Sequence, residues 1–526
     1  MPDLPARPNL DQVRHQARDL LRAARAGDAA ATRRVEAVAD RLTLAAAQLA
    51  VAREYGFSSW ARLKAEVDAR TMDLAEKVDA FLEASIRDWT GRAARLLAAT
   101  PEIAGYNFAT AVVLGDVDRV RQEIERDPAV ATRPDARSGW TPLHAVCGSR
   151  WDRMDPARAE GLLAVARLLL NAGASLEARA GGRDSQPGGR TPLGCATASA
   201  SDGAGNEPII RLLLERGAVP HDDDLYLVGF ARNSHRCLRL LLDHTPDVAK
   251  TVETALGAPI SIGDTEGCRL LLEAGADPRL YVENPPCPAV YASVRFACPA
   301  ELVQLLLAHG AAPDAPGPDG RSPYRLALRQ GRTDLAALLR QGGARDEATD
   351  VDRFLSACLR GERADAQRQV ADHRGLLDQL TDIEQSEAIV QAAAGGSTAA
   401  VELMLDLGFP IEARAGNWGG TALPAAAHGG TALHAAAYAG SAETVRLLLA
   451  RGADVEARDT TWDDTPLVWA TIGSGERPRS NPRPNWVATV RTLIEAGASC
   501  DGLSLSADDP KPPSPEVAQL LRAHLL

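Results

Sequence analysis

Lysine is nearly missing from this 526-residue chain. Only Lys64, Lys77, Lys250 and Lys511 occur, and arginine carries the rest of the 58 positive charges. We read that bias as the signature of a GC-rich genome, without chemical meaning. Acidic residues outnumber basic ones, for a net charge of -12 and a pI near 5.4. That balance argues against a nucleic-acid or anionic-membrane binder. Aromatic residues are only 4% of the chain, and its apolar content is mostly Ala, Leu and Val, which suits thin stacked helices. The eight cysteines include no C-x-x-C pair. Cys147, Cys195, Cys237, Cys268 and Cys358 fall in helical apolar stripes, so reduced, buried thiols of a cytoplasmic protein are expected. The N-terminus MPDLPARPNLDQ has no apolar core of a secretory signal. No apolar run approaches the roughly 18 residues of a membrane span.

Catalytic signatures are missing as well. There is no P-loop, no G-x-S-x-G and no H-E-x-x-H. No catalytic residue, metal ligand or cofactor is therefore expected. His221-Asp222-Asp223-Asp224 has donors enough for a divalent cation, but it stands where a turn belongs and reads as a solvated acidic turn. Cys287 and Cys298 flank a poorly patterned stretch that nothing nearby turns into a metal or redox site.

What is present is one unit many times over. In TALHAAAYAGSAETVRLLLARGADVEARD, Thr431 to Asp459, Thr431 is a helix cap. Leu433, Ala436 and Ala437 follow at helical spacing, and Gly440 closes the helix. Ser441 caps a second helix, whose buried stripe is Val445, Leu447, Leu448 and Leu449 and whose end is Gly452. Thr431 to Gly452 is 22 residues, and Ser322 to Gly343 repeats that spacing. TPLH starts at Thr141, TPLG at Thr191 and TPLV at Thr465. The second-helix run recurs as LLLNAGA at Leu168, LLLERGA at Leu212, LLLEAGA at Leu270, LLLAHGA at Leu305 and, less cleanly, LMLDLGF at Leu403. A helix pair this small cannot bury its apolar face alone, so it must stack on copies of itself.

These units resemble the ankyrin repeat, with its T-P-L-H-x-A signature and period of about 33 residues. The resemblance spans roughly residues 78 to 500. It implies an all-α ankyrin-repeat solenoid, of about 12 helix-turn-helix units, preceded by a small helical domain. It also implies that His144 and His434, at the TPLH position, hydrogen-bond across the repeat backbone and act structurally. The run AREYGFSSWARLKAEV resembles a segment at the N-termini of bacterial ankyrin-repeat proteins and adds no mechanism.

The chain divides into a helical domain over 1–70, a first sub-array over 71–345, a second over 346–500, and a linker with a capping helix over 501–526. The N-terminal domain reads as helices capped at Asn9, running from about Thr43 to Tyr55, and starting near Ser59. Arg14, Arg18, Arg22 and Arg25 stripe the first helix and read as a solvated face. The array starts twice. VDAFLEASIR from Val78 and VDRFLSACLR from Val351 agree, at one offset, at seven positions from Val78/Val351 to Arg95/Arg368. From Asp222 to Asp314 the units are degenerate and lack the Thr-Pro cap. The units at Thr141 and Thr465 carry 11 extra residues between their helices, and the unit at Thr191 carries five. TALPAAAHGG at Thr421 nearly duplicates TALHAAAYAG and is expected to loop out.

The functional signal is large residues off the repeat's core pattern. Trp418 and Trp462 each stand three residues before a threonine, and Trp140 immediately precedes Thr141. Trp151 and Trp486 lie in or beside the long insertions, with Arg150, Arg153 and Arg158 in one and Arg477, Arg479 and Arg483 in the other. Trp and Arg dominate binding hot spots. We therefore expect a non-enzymatic, monomeric scaffold that binds a protein partner through fingers, concave face and inserted loops. The alternatives are a regulatory or inhibitory subunit masking a basic partner, and a targeting module for an activity in residues 1–70.

Overall fold

A computed structural model describes the chain except for residues 1–3, 6–7, 39–41, 58–59, 61–62, 65–66, 68–70, 88–90, 137–138, 181–188, 201–205, 231–234, 247, 249–254, 280–286, 415–428, 477–480, 501–502, 504–510 and 526. The described residues are all-α. They form two compact units: 1–106 with 499–512 and 521–526, and 107–498 with 513–520.

In the first unit, Leu10–Arg25, Ala29–Glu36 and Leu44–Glu54 pack around Val13, Ala17, Leu20, Val35, Ala47 and Val51. Asn9 caps the first helix and Thr43 the third, as their sequence positions indicate. The helix Ala29–Glu36, capped by Asp28, is one that periodicity does not reveal, because only Ala31 and Val35 of its residues are buried. Leu63 and Val67 are fully buried in the same core. The arginine stripe is partly neutralised from its own helix, by Arg14–Asp11 at 3.0 Å and Arg22–Asp19 at 2.7 Å. Such exposed pairs contribute little.

The helix pairs run from Leu74–Arg87 with Arg92–Ala99 to Pro466–Glu476 with Trp486–Glu495, twelve pairs among the described residues. In the second unit each first helix packs on the next without a break, from Phe108–Leu114 through Pro323–Arg329, Asp350–Leu359 and Asp382–Ala394 to Pro466–Glu476. Both tandem starts bury the same residues, Phe81 and Phe354 completely. A first helix sandwiched on both sides has no exposed face, and all seven residues of Ala432–Tyr438 are buried. That is why alanine dominates there. The degenerate units also form first helices, Asp222–Gly229, Gly257–Ile262 and Ala289–Arg295.

The stack is continuous at the second start, and charge is buried there. Asp352, on Asp350–Leu359, is fully buried; it accepts from Arg325 Nε at 2.7 Å, from Arg329, and from the Thr349 amide at 2.9 Å. Arg329 also donates to Glu384 at 2.7 Å, so the ion network ties three successive first helices together.

The two caps that carry a histidine differ from simple threonine capping. The Thr431 amide donates to His434 Nδ1 at 3.2 Å, and Thr431 Oγ1 lies 3.0 Å from the same nitrogen. An amide can only donate, so Nδ1 accepts and the proton sits on Nε2. Nε2–H donates to the Asp464 carbonyl at 3.0 Å, bridging to the next unit. His144 does likewise to the Ala178 and Arg190 carbonyls, at 3.0 and 3.1 Å. The structural role implied for these histidines is the one observed. The Ser441 hydroxyl, expected to cap, pairs instead with Thr444 Oγ1 at 2.8 Å.

Burial pushes the His434 pKa down to about 4. Between about 4 and 6.5 the unfolded chain therefore binds the extra proton, so stability falls as the medium is acidified through that window. The full shift is worth about 3 kcal/mol. Urea unfolding of wild type and His434→Gln should show their stability difference shrinking from pH 7 to pH 5. A constant difference would show that the ring does not titrate with folding.

Candidate functional site

Five of the described fingers turn back into the next first helix through one residue in the left-handed region, two positions before the cap. Gly139, Gly189, Gly320 and Gly429 hold φ of 68°, 71°, 75° and 66° there, and the last finger holds Asp463 at 60°. Aspartate is one of the few side chains that tolerate this conformation.

That last finger is fixed by a single carboxylate. Asp459 Oδ1 accepts from the Thr461 and Trp462 amides at 2.8 and 2.7 Å. Its Oδ2 accepts from the Asp464 amide at 3.1 Å and from Trp469 Nε1 at 2.9 Å. The Asp459 amide closes the loop onto the Asp464 carbonyl at 3.0 Å. Burial pushes the carboxyl up, but these donors pull harder, and its pKa lies below the ordinary value. The result is a rigid loop that holds Trp462 out, 49% exposed. Behind it the Trp469 ring lies 6.2 Å from Trp462, 5.2 Å from His434 and 6.0 Å from Tyr438, joining the tip to the core.

Asparagine at 459 would turn an amide NH2 toward donors. Asp459→Asn should accelerate hydrogen exchange at Thr461, Trp462 and Asp464 by about 30-fold or more, matching a local loss of about 2 kcal/mol. The first helices should keep their protection. Unchanged exchange in the finger would remove the carboxylate from its role.

The remaining sequence-selected residues sit differently. Trp140 is half-buried, its ring 6.0 Å from His144, and its carbonyl accepts from the Asp135 amide at 2.8 Å. Trp151 is buried in the short helix Trp151–Met154, with the Arg158 guanidinium 5.2 Å over its ring. Arg150 and Arg153 are half-buried beside it, and Arg483 is exposed. Trp418, Arg477 and Arg479 lie outside the described residues, as does most of the Thr421 segment. Trp462 and Trp486 are not neighbours: they flank the 11-residue helix Pro466–Glu476, about 15 Å long.

The described parts of the insertions work as braces. A helix ends with carbonyls that have no partner within it. Here the next unit supplies one. Ser149 and Arg158 donate to the Val113 and Leu114 carbonyls at 2.7 and 3.0 Å. Asn206 donates to Cys147 at 2.8 Å, and Asn481 and Trp486 donate to Ala439 and Tyr438 at 2.9 and 3.0 Å. Cys298 does the same toward the Ile260 carbonyl at 3.1 Å. Cys287 and Cys298 are both buried thiols.

The acidic turn is also rebuilt. His221 is the cap of Asp222–Gly229, and Asp224 is buried and accepts from the His221 amide at 2.8 Å. A solvated turn does not describe it. Among the described residues no His, Cys, Asp and Glu group is arranged to hold a metal ion, and no helix is long and apolar enough to cross a membrane. A groove of about 510 Å³ lies between the first three helices, where Arg34 is held by Glu54 at 2.7 and 2.8 Å and Tyr55 donates to Gln16 at 3.1 Å.

Asp459 and Trp469 escape a search for exposed hot spots, because both point inward. Their one signal is spacing: Asp459 stands six residues before Thr465, as Asp135 stands six before Thr141.

Stacked helix pairs, two of them with histidine-bridged caps, define a helical-repeat protein. The profile for ankyrin repeats in three copies matches residues 355–459, and that for the single ankyrin repeat matches 138–180. Cyclin-dependent kinase 4 inhibitor B of Mus musculus is 33% identical over 100 residues, which are 19% of this chain and 75% of that protein. The chain belongs to the ankyrin-repeat family. B-cell lymphoma 3 protein homolog of Mus musculus is 30% identical over 149 residues, 26% of this chain and only 33% of that protein. Among solved structures, the ankyrin repeat domain of Bcl-3 is 25% identical, covering 40% of this chain and 90% of its own at a TM-score of 0.30. An ankyrin repeat domain from Acinetobacter baumannii is 21% identical, covering 46% and 100% at 0.27. The family assignment rests on the sequence matches, since superpositions this loose add nothing to it. Ankyrin repeats generally mediate protein–protein interaction.

Proposed function

We propose that the chain is a non-enzymatic, cytoplasmic binding scaffold, which offers its fingers, first-helix face and inserted loops to a protein partner. The observation that carries this reading is Trp462, a large aromatic side chain held half-exposed on a loop that a buried carboxylate keeps in one conformation. Tryptophan is a preferred binding anchor. A pre-ordered loop loses little entropy when it docks, so the stack serves binding by rigid display. Two further features favour a regulatory or inhibitory form of this role. One curated relative is named an inhibitor, and the net charge of -12 suits a basic partner. The helical segment 1–70 and the two sub-arrays are proposed as parts of one monomeric scaffold.

The test compares two tryptophans. Trp486 donates to the Tyr438 carbonyl and its indole lies against Gly440, so Trp486→Ala should cost about 2 kcal/mol of stability. Trp462→Ala should cost under about 1 kcal/mol yet abolish capture of the partner from native lysate. Undiminished capture by a folded Trp462→Ala chain would refute this reading of the finger.

A further inference from the structure

The surroundings of Trp462 specify what the finger takes. Asp463, the residue after Trp462, is exposed, and Asp464, the next one, is half-buried within the field of the buried Asp459. The positive charges nearby are already engaged in the loop. Arg458 donates to the Asp463 carbonyl at 2.8 Å, and the Arg414 guanidinium reaches the Arg458 carbonyl. His434, facing the loop from the preceding first helix, is neutral, because Asp464 accepts from its Nε2 and its Nδ1 accepts from the Thr431 amide. Among the described residues the carboxylates of Asp459, Asp463 and Asp464 thus outnumber the guanidinium groups of Arg414 and Arg458, and this negative surplus belongs to the loop that carries Trp462, 49% exposed. An indole face attracts a cation by its quadrupole, and a neighbouring carboxylate adds to that attraction.

Resting on the reading of Trp462 as the partner anchor, we propose that this finger tip binds a basic side chain of the partner, an arginine or lysine laid on the Trp462 indole with its charge toward Asp463 and Asp464. The partner is thus a protein with an exposed basic segment. The strain on Asp464 agrees: burial first, then the fields of Asp459 and Asp463, push its carboxyl up to about 6 against the pull of Arg458. An arriving cation relieves that field and draws the proton off.

The probe is an acetylated, amidated Gly-Arg-Gly-Arg-Gly peptide, titrated into the full-length chain at low salt and followed by calorimetry. A matching Gly-Glu-Gly-Glu-Gly peptide is the control. The arginine peptide should bind and the glutamate peptide should not. Affinity should fall at least tenfold in Trp462→Ala and severalfold in Asp464→Asn, whose backbone carbonyl still serves His434. It should also weaken from pH 7.5 to pH 5, as Asp464 takes up its proton. Trp462→Phe, which keeps an aromatic face, should retain part of the binding. Equal binding of the two peptides, or arginine binding unchanged in a folded Trp462→Ala chain, overturns the proposal. If Trp462→Ala loses the native partner but the arginine peptide never binds, the anchor stands and the cation assignment fails. If the peptide binds at Trp462 but partner capture ignores it, the anchor fails instead.

Discussion

Asp352→Ala is expected to destabilise the array by about 3–5 kcal/mol, the largest single-residue effect foreseen here. The cause is what the substitution leaves behind. Arg325 and Arg329 would keep their charges in a site where Arg329 is only 11% exposed, with Glu384 left as its ion-pair partner among the described residues. A control separates pairing from packing. Asp352→Leu combined with Arg325→Leu and Arg329→Met fills the same space without charge, and should recover most of the loss, since buried ion pairs seldom outperform apolar packing. Acid should act in the same direction as the single substitution. Burial pushes Asp352 up, but Arg325, the Thr349 amide and Arg329 pull it below its ordinary 3.8, and Glu384 is likewise lowered. Both contributions are therefore complete above the ordinary carboxylate range and vanish as pH falls through the depressed folded values. Hydrogen exchange should show loosening centred on Pro323–Arg329 and Asp350–Leu359. A loss under about 1 kcal/mol would mean the network is incidental to stacking.

Gly473→Ala should cost about 3 kcal/mol, although alanine is the better helix former at an interior position. Gly473 lies within Pro466–Glu476, and a Cβ there would fall inside the Tyr438 carbonyl of the preceding first helix. The clash is backbone against backbone, so no flexible side chain can yield. The same approach positions Tyr438 to donate to Glu476 at 2.5 Å and to receive the indole of Trp486 on its carbonyl. Separating the two helices would therefore loosen the insertion's brace as well. The urea midpoint of the full chain should drop, with increased exchange at Asn485. A neutral or stabilising result would show that the helices are not in such close contact.

The repeat could be read from sequence because its punctuation is local. Threonine caps, closing glycines and leucine runs each follow from the needs of one helix, and in Ala432–Tyr438 and Ala442–Ala450 they fall where the helices begin and end. Phe81 and Phe354, at matching positions of two similar segments, were legible as core for the same reason, since both are apolar and both are fully buried. What pattern could not show was polar groups turned inward. Asp352, Asp224 and Asp459 look like surface residues in a charged chain, yet each is buried, Asp224 and Asp459 against amides of their own cap or loop and Asp352 against guanidinium groups of the preceding first helix. The insertions misled for a related reason. Their Trp, Asn and Arg side chains suggest free loops, whereas the carbonyl ends of the preceding helices, invisible in sequence, claim Arg158, Asn206, Asn481 and Trp486. Of the finger site, the sequence offered Trp462 but not the carboxylate that holds it out.

On the function proposed above, the stack presents the Trp462 finger to a protein partner. A photo-crosslinking amino acid placed at 462 tests it directly, with the same group at Glu443, exposed on the second helix Ala442–Ala450, as reference. In native lysate, the crosslinker at 462 should yield one discrete protein adduct that the crosslinker at 443 does not. Adducts at 443 alone, or the same adducts from both positions, would contradict the account.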